Sequence, residues 1–155
     1  MTLLLSRPNY ERWLYAIPAT YASVRASTLR FFTTSATAAV VVGTITFRSG
    51  HELRVSELVD FAAGEILDYG YEIWLNGEKL YWYDPQPHPN DLTLASTDPH
   101  HKHVPPDIKH HRIPAPGLSF LASWSAAPPF VILRFRNPQS AICNLPSAIP
   151  QRSQR

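Results

Sequence analysis

The sequence predicts an α+β fold: an antiparallel four-stranded meander with one or two N-terminal helices, then a Pro/His-rich extended arm and an irregular C-terminal tail. Three observations support this fold class. Between residues 40 and 84, β-branched and aromatic residues alternate with polar ones, and short glycine-containing turns separate these runs. The excess of proline, 15 residues in the whole chain, is concentrated beyond residue 84. We expect residues 1–120 to form a single domain and residues 121–155 to be disordered or frame-shifted.

A short N-terminal helix is predicted from Pro8 to Ile17, because proline fits the first turn and the apolar side chains share one face. Pro18 is expected to end this helix. The following stretch is rich in Ser, Thr and Ala without a clear period, and it allows a second helix from Ala22 to Phe32. A meander needs a cover on one face, and the N-terminal helix is the available one.

Four strands are predicted in succession. The first three are Val40–Phe47, Glu52–Phe61 and Glu65–Asn76, each separated from the next by a short turn. The fourth follows Gly77 and ends at Asp84. Short connections between successive strands make the sheet antiparallel.

The Asn76-Gly77 pair predicts a two-residue type I′ hairpin turn between the third and fourth strands. An uninterrupted ladder from this turn would place Leu75 opposite Glu78 and Trp74 opposite Lys79. It would also place Ile73 opposite Leu80, Tyr71 opposite Trp82, Glu72 opposite Tyr81 and Gly70 opposite Tyr83.

Composition limits the function classes. A formal net charge of +2 permits an RNA or phosphate ligand but is not the strongly basic footprint of a high-affinity nucleic-acid binder. The single cysteine, Cys143, excludes an internal disulfide and a CxxC zinc site. No apolar run approaches the ~20 residues of a membrane span. We therefore expect a cytoplasmic protein with no membrane partner and no cofactor.

The segment Tyr81–Pro116 contains six of the seven histidines and eight of the fifteen prolines. Proline fixes φ and removes a backbone donor, so this arm is predicted to contain no helix and no central strand. Histidine changes charge nearest neutral pH, which makes the cluster a candidate for proton transfer or metal binding. The histidines concerned are His88, His100, His101, His103, His110 and His111.

Three phrases of the arm, Tyr81–Asp84, Pro87–Pro89 and Pro99–Val104, resemble the TumE family, whose members are toxin components of toxin–antitoxin systems. The resemblance covers about residues 40 to 120 and implies a sheet ending in an aromatic strand with an aspartate. It also implies a cognate antitoxin protein as partner. Residues 19–39 and the chain beyond Phe120 depart from the family pattern. A shifted reading frame in one or both stretches is our hypothesis, and it would leave an inactive remnant.

For a toxin of a type II toxin–antitoxin module, the histidines favour metal-independent cleavage of RNA. Such a ribonuclease needs a base for the 2′-hydroxyl, an acid for the leaving 5′-oxygen and a cation for the phosphorane. In an extended segment His101 and His103 share a face, so they are the predicted proton shuttles. The predicted catalytic residues are His101, His103, Lys102 and Asp84, and the predicted substrate-binding residues are His100, His88, Tyr83, Lys109 and Arg112.

Two alternatives stay open from the sequence. The imidazoles can instead hydrogen-bond backbone carbonyls of the sheet, which would leave a non-catalytic binding or structural protein whose partner is the antitoxin. Alternatively, the His-x-His spacing with a nearby aspartate can supply three ligands to a metal ion. The turn-and-helix spacing of structural zinc sites is missing, so no metal ligand is assigned.

Overall fold

The computed structural model describes residues 6–115. Within this range the chain forms one helix and eight strands, which confirms the α+β class. In chain order these are α1 (Arg7–Thr20), β1 (Val24–Ser27), β2 (Arg30–Thr33), β3 (Ala38–Phe47), β4 (His51–Asp60), β5 (Glu65–Leu75), β6 (Glu78–Asp84), β7 (His101–His103) and β8 (Arg112–Pro114). A 3₁₀ turn spans Leu92–Leu94. The irregular tail predicted for 121–155 lies outside the described residues.

The sheet is larger than the predicted meander. The four predicted strands correspond to β3–β6, which lie side by side and antiparallel in the centre of the sheet. Both β1 and β2 pair with β3 at one edge, while β7 and β8 extend the sheet beyond β6. The prediction of four strands was therefore wrong in number. The added strands have only three or four residues each, too few for a recognisable alternation.

The second predicted helix, Ala22 to Phe32, is wrong, because this segment forms β1 and β2. The connection between the two strands passes over β3 at Gly43, which has a φ of +144°. A Cβ atom at Gly43 would lie 2.6 Å from the carbonyl oxygen of Thr28. The glycine therefore lets two strands pair with β3 in succession.

Helix α1 supplies three fully buried side chains, Tyr10, Leu14 and Ile17, to the core. The helix continues past Pro18 to Thr20, so the prediction that proline ends it was wrong by three residues. The same cluster contains side chains of the central strands, namely Val41, Ile45, Leu53, Val55, Tyr71 and Tyr83. A carboxyl group also lies in this core: Glu57 of β4 accepts hydrogen bonds from the hydroxyls of Tyr10 and Tyr71.

The β5–β6 hairpin has the predicted turn, with Asn76 at φ +52° and Gly77 at φ +81°. Leu75 pairs with Glu78 and Trp74 with Lys79, as predicted. A bulge then shifts the register, so the other predicted pairings are wrong. The observed pairs are Ile73 with Tyr81, Glu72 with Trp82 and Tyr71 with Tyr83.

This bulge decides which face each side chain occupies, since a one-residue shift moves every later residue to the other face. Tyr83 joins Tyr71 in the core. Trp82 and Asp84 lie on the opposite face of β6, where the arm folds back.

The arm does contain a central strand, contrary to the prediction, because β7 lies between β6 and β8. The reason is local. Residues 101–103 contain no proline although Pro99 and Pro105 flank them, so their N–H groups are available to both neighbours. Pro114 lies in β8, at the end of the strand order, where a missing donor is tolerated.

Candidate functional site

The pairing of β6 with β7 brings an aspartate, a tryptophan and two histidines onto one face of the sheet. Asp84 lies directly opposite His101, and Trp82 lies directly opposite His103. Because side chains of a strand alternate, His101 and His103 share a face, as the sequence predicted. This is the face on which Trp82 and Asp84 lie. Both imidazoles are buried, with 1% and 3% of their surfaces exposed.

The two imidazoles face each other through their Nε2 atoms, which are 2.8 Å apart. Each ring places its Nδ1 against a backbone carbonyl oxygen: His101 against Pro99 at 3.1 Å and His103 against Ile108 at 3.0 Å. A nitrogen that faces a carbonyl must donate, so both Nδ1 atoms carry a proton. The Nε2 lone pairs of two neutral rings would then repel each other. A cation between them, a proton in the simplest case, removes this repulsion.

Asp84 supplies the balancing negative charge. Its Oδ1 lies 3.1 Å from the Nε2 of His101, and its Oδ2 lies 3.4 Å from the Nε2 of His103. The indole N–H of Trp82 donates to Oδ2 at 2.5 Å, and the indole ring stacks on His103 with 3.8 Å between ring centroids. Trp82 therefore orients both the carboxylate and one imidazole.

His88 and Arg112 form the open side of the cluster. The ring of His88 stands edge-on to that of His101, with 4.6 Å between centroids. Arg112 lies opposite His103 in the β7–β8 pair, and its buried Nε has no hydrogen-bond partner within residues 6–115. Both side chains line a cavity of about 440 Å³ together with Pro87, Pro89, Asn90 and Asp91. A ligand in this cavity would meet the cation of Arg112, the imidazole of His88 and the carboxylate of Asp91.

Burial controls the protonation of these histidines. Desolvation lowers the pKa of His103 to about 4, although Asp84 opposes the change. The pKa of His88 is also lowered, first by burial and then by the charge of Arg112. At neutral pH His103 is therefore uncharged.

The remaining predicted site residues lie elsewhere. Lys102 is on the opposite face of β7, with its Nζ 4.0 Å above the ring of Tyr81. His100 stacks on Tyr69 and shares a hydrogen bond of 3.0 Å with its hydroxyl, and Tyr83 is buried in the core. Of the predicted site residues, the structure brings five together: Asp84, His88, His101, His103 and Arg112. Three others lie apart from this cluster: Lys102, His100 and Tyr83.

Two further residues of the arm, Lys109 and Trp82, also lie beside the cluster. The backbone carbonyl of Lys109 accepts a hydrogen bond of 3.4 Å from Arg112, so this lysine neighbours the site through its main chain. Trp82 was not among the predicted site residues. Its contacts with Asp84 and His103 follow from the hairpin bulge, which no pattern in the sequence indicates.

The fold and the site define a small α+β protein with a histidine–aspartate cluster at the end of an antiparallel sheet. Residues 15–125 match the family model described as Toxin TumE. The chain belongs to this toxin family, as the resemblance of the arm predicted. No curated protein and no solved structure matches the chain.

The matched range extends the resemblance in both directions. It includes residues 19–39, for which the sequence allowed a shifted reading frame and which contribute β1 and β2 to the sheet.

Membership of a toxin family implies an antitoxin as partner. Among the described residues, no helix has the length and apolarity that a membrane span requires.

Proposed function

We propose that this protein is the toxin of a type II toxin–antitoxin module and that it cleaves RNA without a metal ion. The observation that supports the proposal most is the pair of Nε2 atoms, 2.8 Å apart, in rings whose Nδ1 atoms both donate to carbonyls. Such a pair contains one basic nitrogen and one proton. These are the two groups that cleavage by the adjacent 2′-hydroxyl needs.

The proton balance assigns a role to each ring. His103, whose pKa burial lowers to about 4, is neutral and accepts the proton of the 2′-hydroxyl. His101 donates its Nε2 proton to the leaving 5′-oxygen. Asp84, 3.1 Å from the Nε2 of His101, stabilises the imidazolium and holds the ring in place. In the second half of the reaction the roles reverse.

The developing phosphorane needs a cation, and we assign this role to Arg112. Lys102 is unsuited because its ammonium lies over Tyr81 on the other face of the sheet. Arg112 lines the cavity with His88, and its guanidinium has an unused buried donor at Nε. RNA would enter through this cavity, where His88 contacts it, and Lys109, whose carbonyl accepts from Arg112, is a further candidate cation outside the cavity lining. His100 and Tyr83 then serve packing rather than substrate binding.

The test is cleavage of single-stranded RNA by the purified protein in excess EDTA. Removing a general acid or base costs about 10²–10⁴-fold in rate, so His101→Ala and His103→Ala should each lose activity on that scale. The matched control is Lys102→Ala, which removes a cation from the same strand but from the other face and should leave the rate unchanged. Cleavage that survives His101→Ala, or that disappears in EDTA, would overturn the mechanism.

A growth assay separates the toxin role from the chemistry. Expression of the chain alone should arrest growth, and co-expression of the neighbouring antitoxin gene should relieve the arrest. Arrest that persists in His101→Ala would identify a non-catalytic toxin, in which the paired imidazoles are structural. No arrest by the wild-type chain would support an inactive remnant.

A further inference from the structure

Three imidazoles, those of His88, His101 and His103, bring metal-binding nitrogens close together, and the carboxylate of Asp84 lies beside two of them. The Nε2 atoms of His101 and His103 are 2.8 Å apart, and the carboxylate oxygens of Asp84 lie 3.1 and 3.4 Å from them. His88 offers a third imidazole nitrogen within 4.8 Å of the other two. Two ligands that each lie about 2.0–2.2 Å from one ion are at most about 4.4 Å apart, so the three imidazoles need only small shifts to bind the same ion.

The surroundings of the two buried histidines match those of metal ligands. A ligating histidine usually donates its second ring N–H to a carbonyl or carboxylate, which fixes the tautomer with its lone pair toward the ion. His101 and His103 do this through Pro99 and Ile108. Asp84 has its own orienting contact, the indole N–H of Trp82 at 2.5 Å. These outer contacts preorganise three of the four ligands.

We infer that His88, His101, His103 and Asp84 form a site for a divalent transition-metal ion of the zinc class. Three imidazoles and one carboxylate are ligands that zinc, iron, copper and nickel accept. The cavity beside His88 and Arg112 provides the route by which an ion or a further ligand reaches the site.

The distances fit zinc with a small adjustment. At a Zn–N length of about 2.1 Å, tetrahedral angles put neighbouring nitrogens about 3.4 Å apart. The Nε2 of His103 already lies 3.4 Å from Oδ2 of Asp84, and the Nε2 of His101 lies 3.1 Å from Oδ1 of the same carboxylate. The two Nε2 atoms would separate by about 0.6 Å from their 2.8 Å spacing, a motion that small rotations of two rings supply.

The ion would occupy the place of the shared proton, and this consequence rests on the proposed function. Zinc bound to both Nε2 lone pairs leaves neither a base for the 2′-hydroxyl nor a proton for the leaving oxygen. The metal-loaded protein is therefore an inactive form, and the metal-free protein is the ribonuclease. Zinc would act as a reversible inhibitor at the catalytic cluster itself.

Calorimetric titration of Zn²⁺ into tag-free, chelator-treated full-length protein tests the site without reference to activity. One equivalent should bind to the wild type. His101→Ala should abolish binding, and His88→Ala and Asp84→Asn should each weaken it by at least about tenfold, since even loss of an outer contact costs 10–100-fold. His51→Ala and His110→Ala remove histidines outside the cluster and should bind as the wild type does.

Circular dichroism checks that each variant is folded. If His101→Ala is unfolded, the zinc affinity of His88→Ala, whose side chain lies at the open side of the cluster, tests the metal site instead. Absence of binding to the wild type, retention in His88→Ala and Asp84→Asn, or equal loss in His51→Ala would overturn the site. RNA cleavage by a protein that does not bind zinc would support the ribonuclease proposal and refute the metal site. Zinc binding by a protein that does not cleave RNA would support the metal site and refute the ribonuclease proposal. Cleavage that zinc stimulates would support the metal site but refute both inhibition by zinc and the metal-independent mechanism.

Discussion

The buried carboxyl of Glu57 provides the sharpest test of the packing. Its side chain is 1% exposed and accepts hydrogen bonds from the hydroxyls of Tyr10 and Tyr71, which are themselves fully buried. Glu57→Ala would remove the carboxyl that accepts from both hydroxyls, and each lost hydrogen bond at a buried group costs about 1–3 kcal/mol. We expect the free energy of unfolding to fall by about 2–6 kcal/mol, measured by urea denaturation followed by circular dichroism.

Three comparison variants isolate the cause. Glu57→Gln keeps a carbonyl acceptor and should lose much less than Glu57→Ala. Adding Tyr10→Phe to Glu57→Ala removes one orphaned hydroxyl and should recover about 1–3 kcal/mol. Glu52→Ala, on the same strand but 42% exposed, should change stability by at most about 0.5 kcal/mol. A Glu57→Ala protein as stable as the wild type, or a Gln variant as unstable as the Ala variant, would refute this account.

Two further predictions concern the same core. Gly43→Ala should cost about 2–6 kcal/mol, as overpacking plus backbone strain, because its Cβ would lie 2.6 Å from the Thr28 oxygen at a φ of +144°. Gly70→Ala, where the nearest atom would be 4.0 Å away, is the control, and equal losses of unfolding free energy in both would contradict the explanation. Burial raises the pKa of Glu57 from its ordinary 4.5, so the folded state retains its proton longer than the unfolded state as pH rises. The wild type should therefore lose stability relative to Glu57→Gln from about pH 4.5 upward through the raised pKa, and a constant difference in unfolding free energy across that range would contradict the shift.

The sequence predicted those parts of the site that depend on local geometry. His101 and His103 share a face because an extended chain alternates, and Asp84 ends a strand that the Asn76-Gly77 turn defines. It did not predict that Lys102 would be unavailable to the cluster, although the same alternation separates it from both histidines. Its partner on the other face, Tyr81, is determined by the fold.

The edges of the fold were not predictable for a different reason. Strands β7 and β8 have three residues each, and their stability comes from the pairing of β7 with β6 and of β8 with β7 rather than from their own pattern. The same holds for β1 and β2, which depend on a close backbone approach at Gly43. Polar and apolar residues in such short segments carry no period that distinguishes strand from loop.

The sequence by itself determined the fold class, the central strands and the toxin family, because alternation and the phrases around Asp84 and His101 are local properties of the chain. Only the tertiary structure decided what the histidine arm does with its imidazoles. The bulge in the β5–β6 hairpin turned Asp84 and Trp82 away from the core, and the non-local pairing of β6 with β7 placed two histidines against them. Register depends on contacts between distant residues, so the convergence of nitrogens and oxygens at this site is a property of the folded sheet.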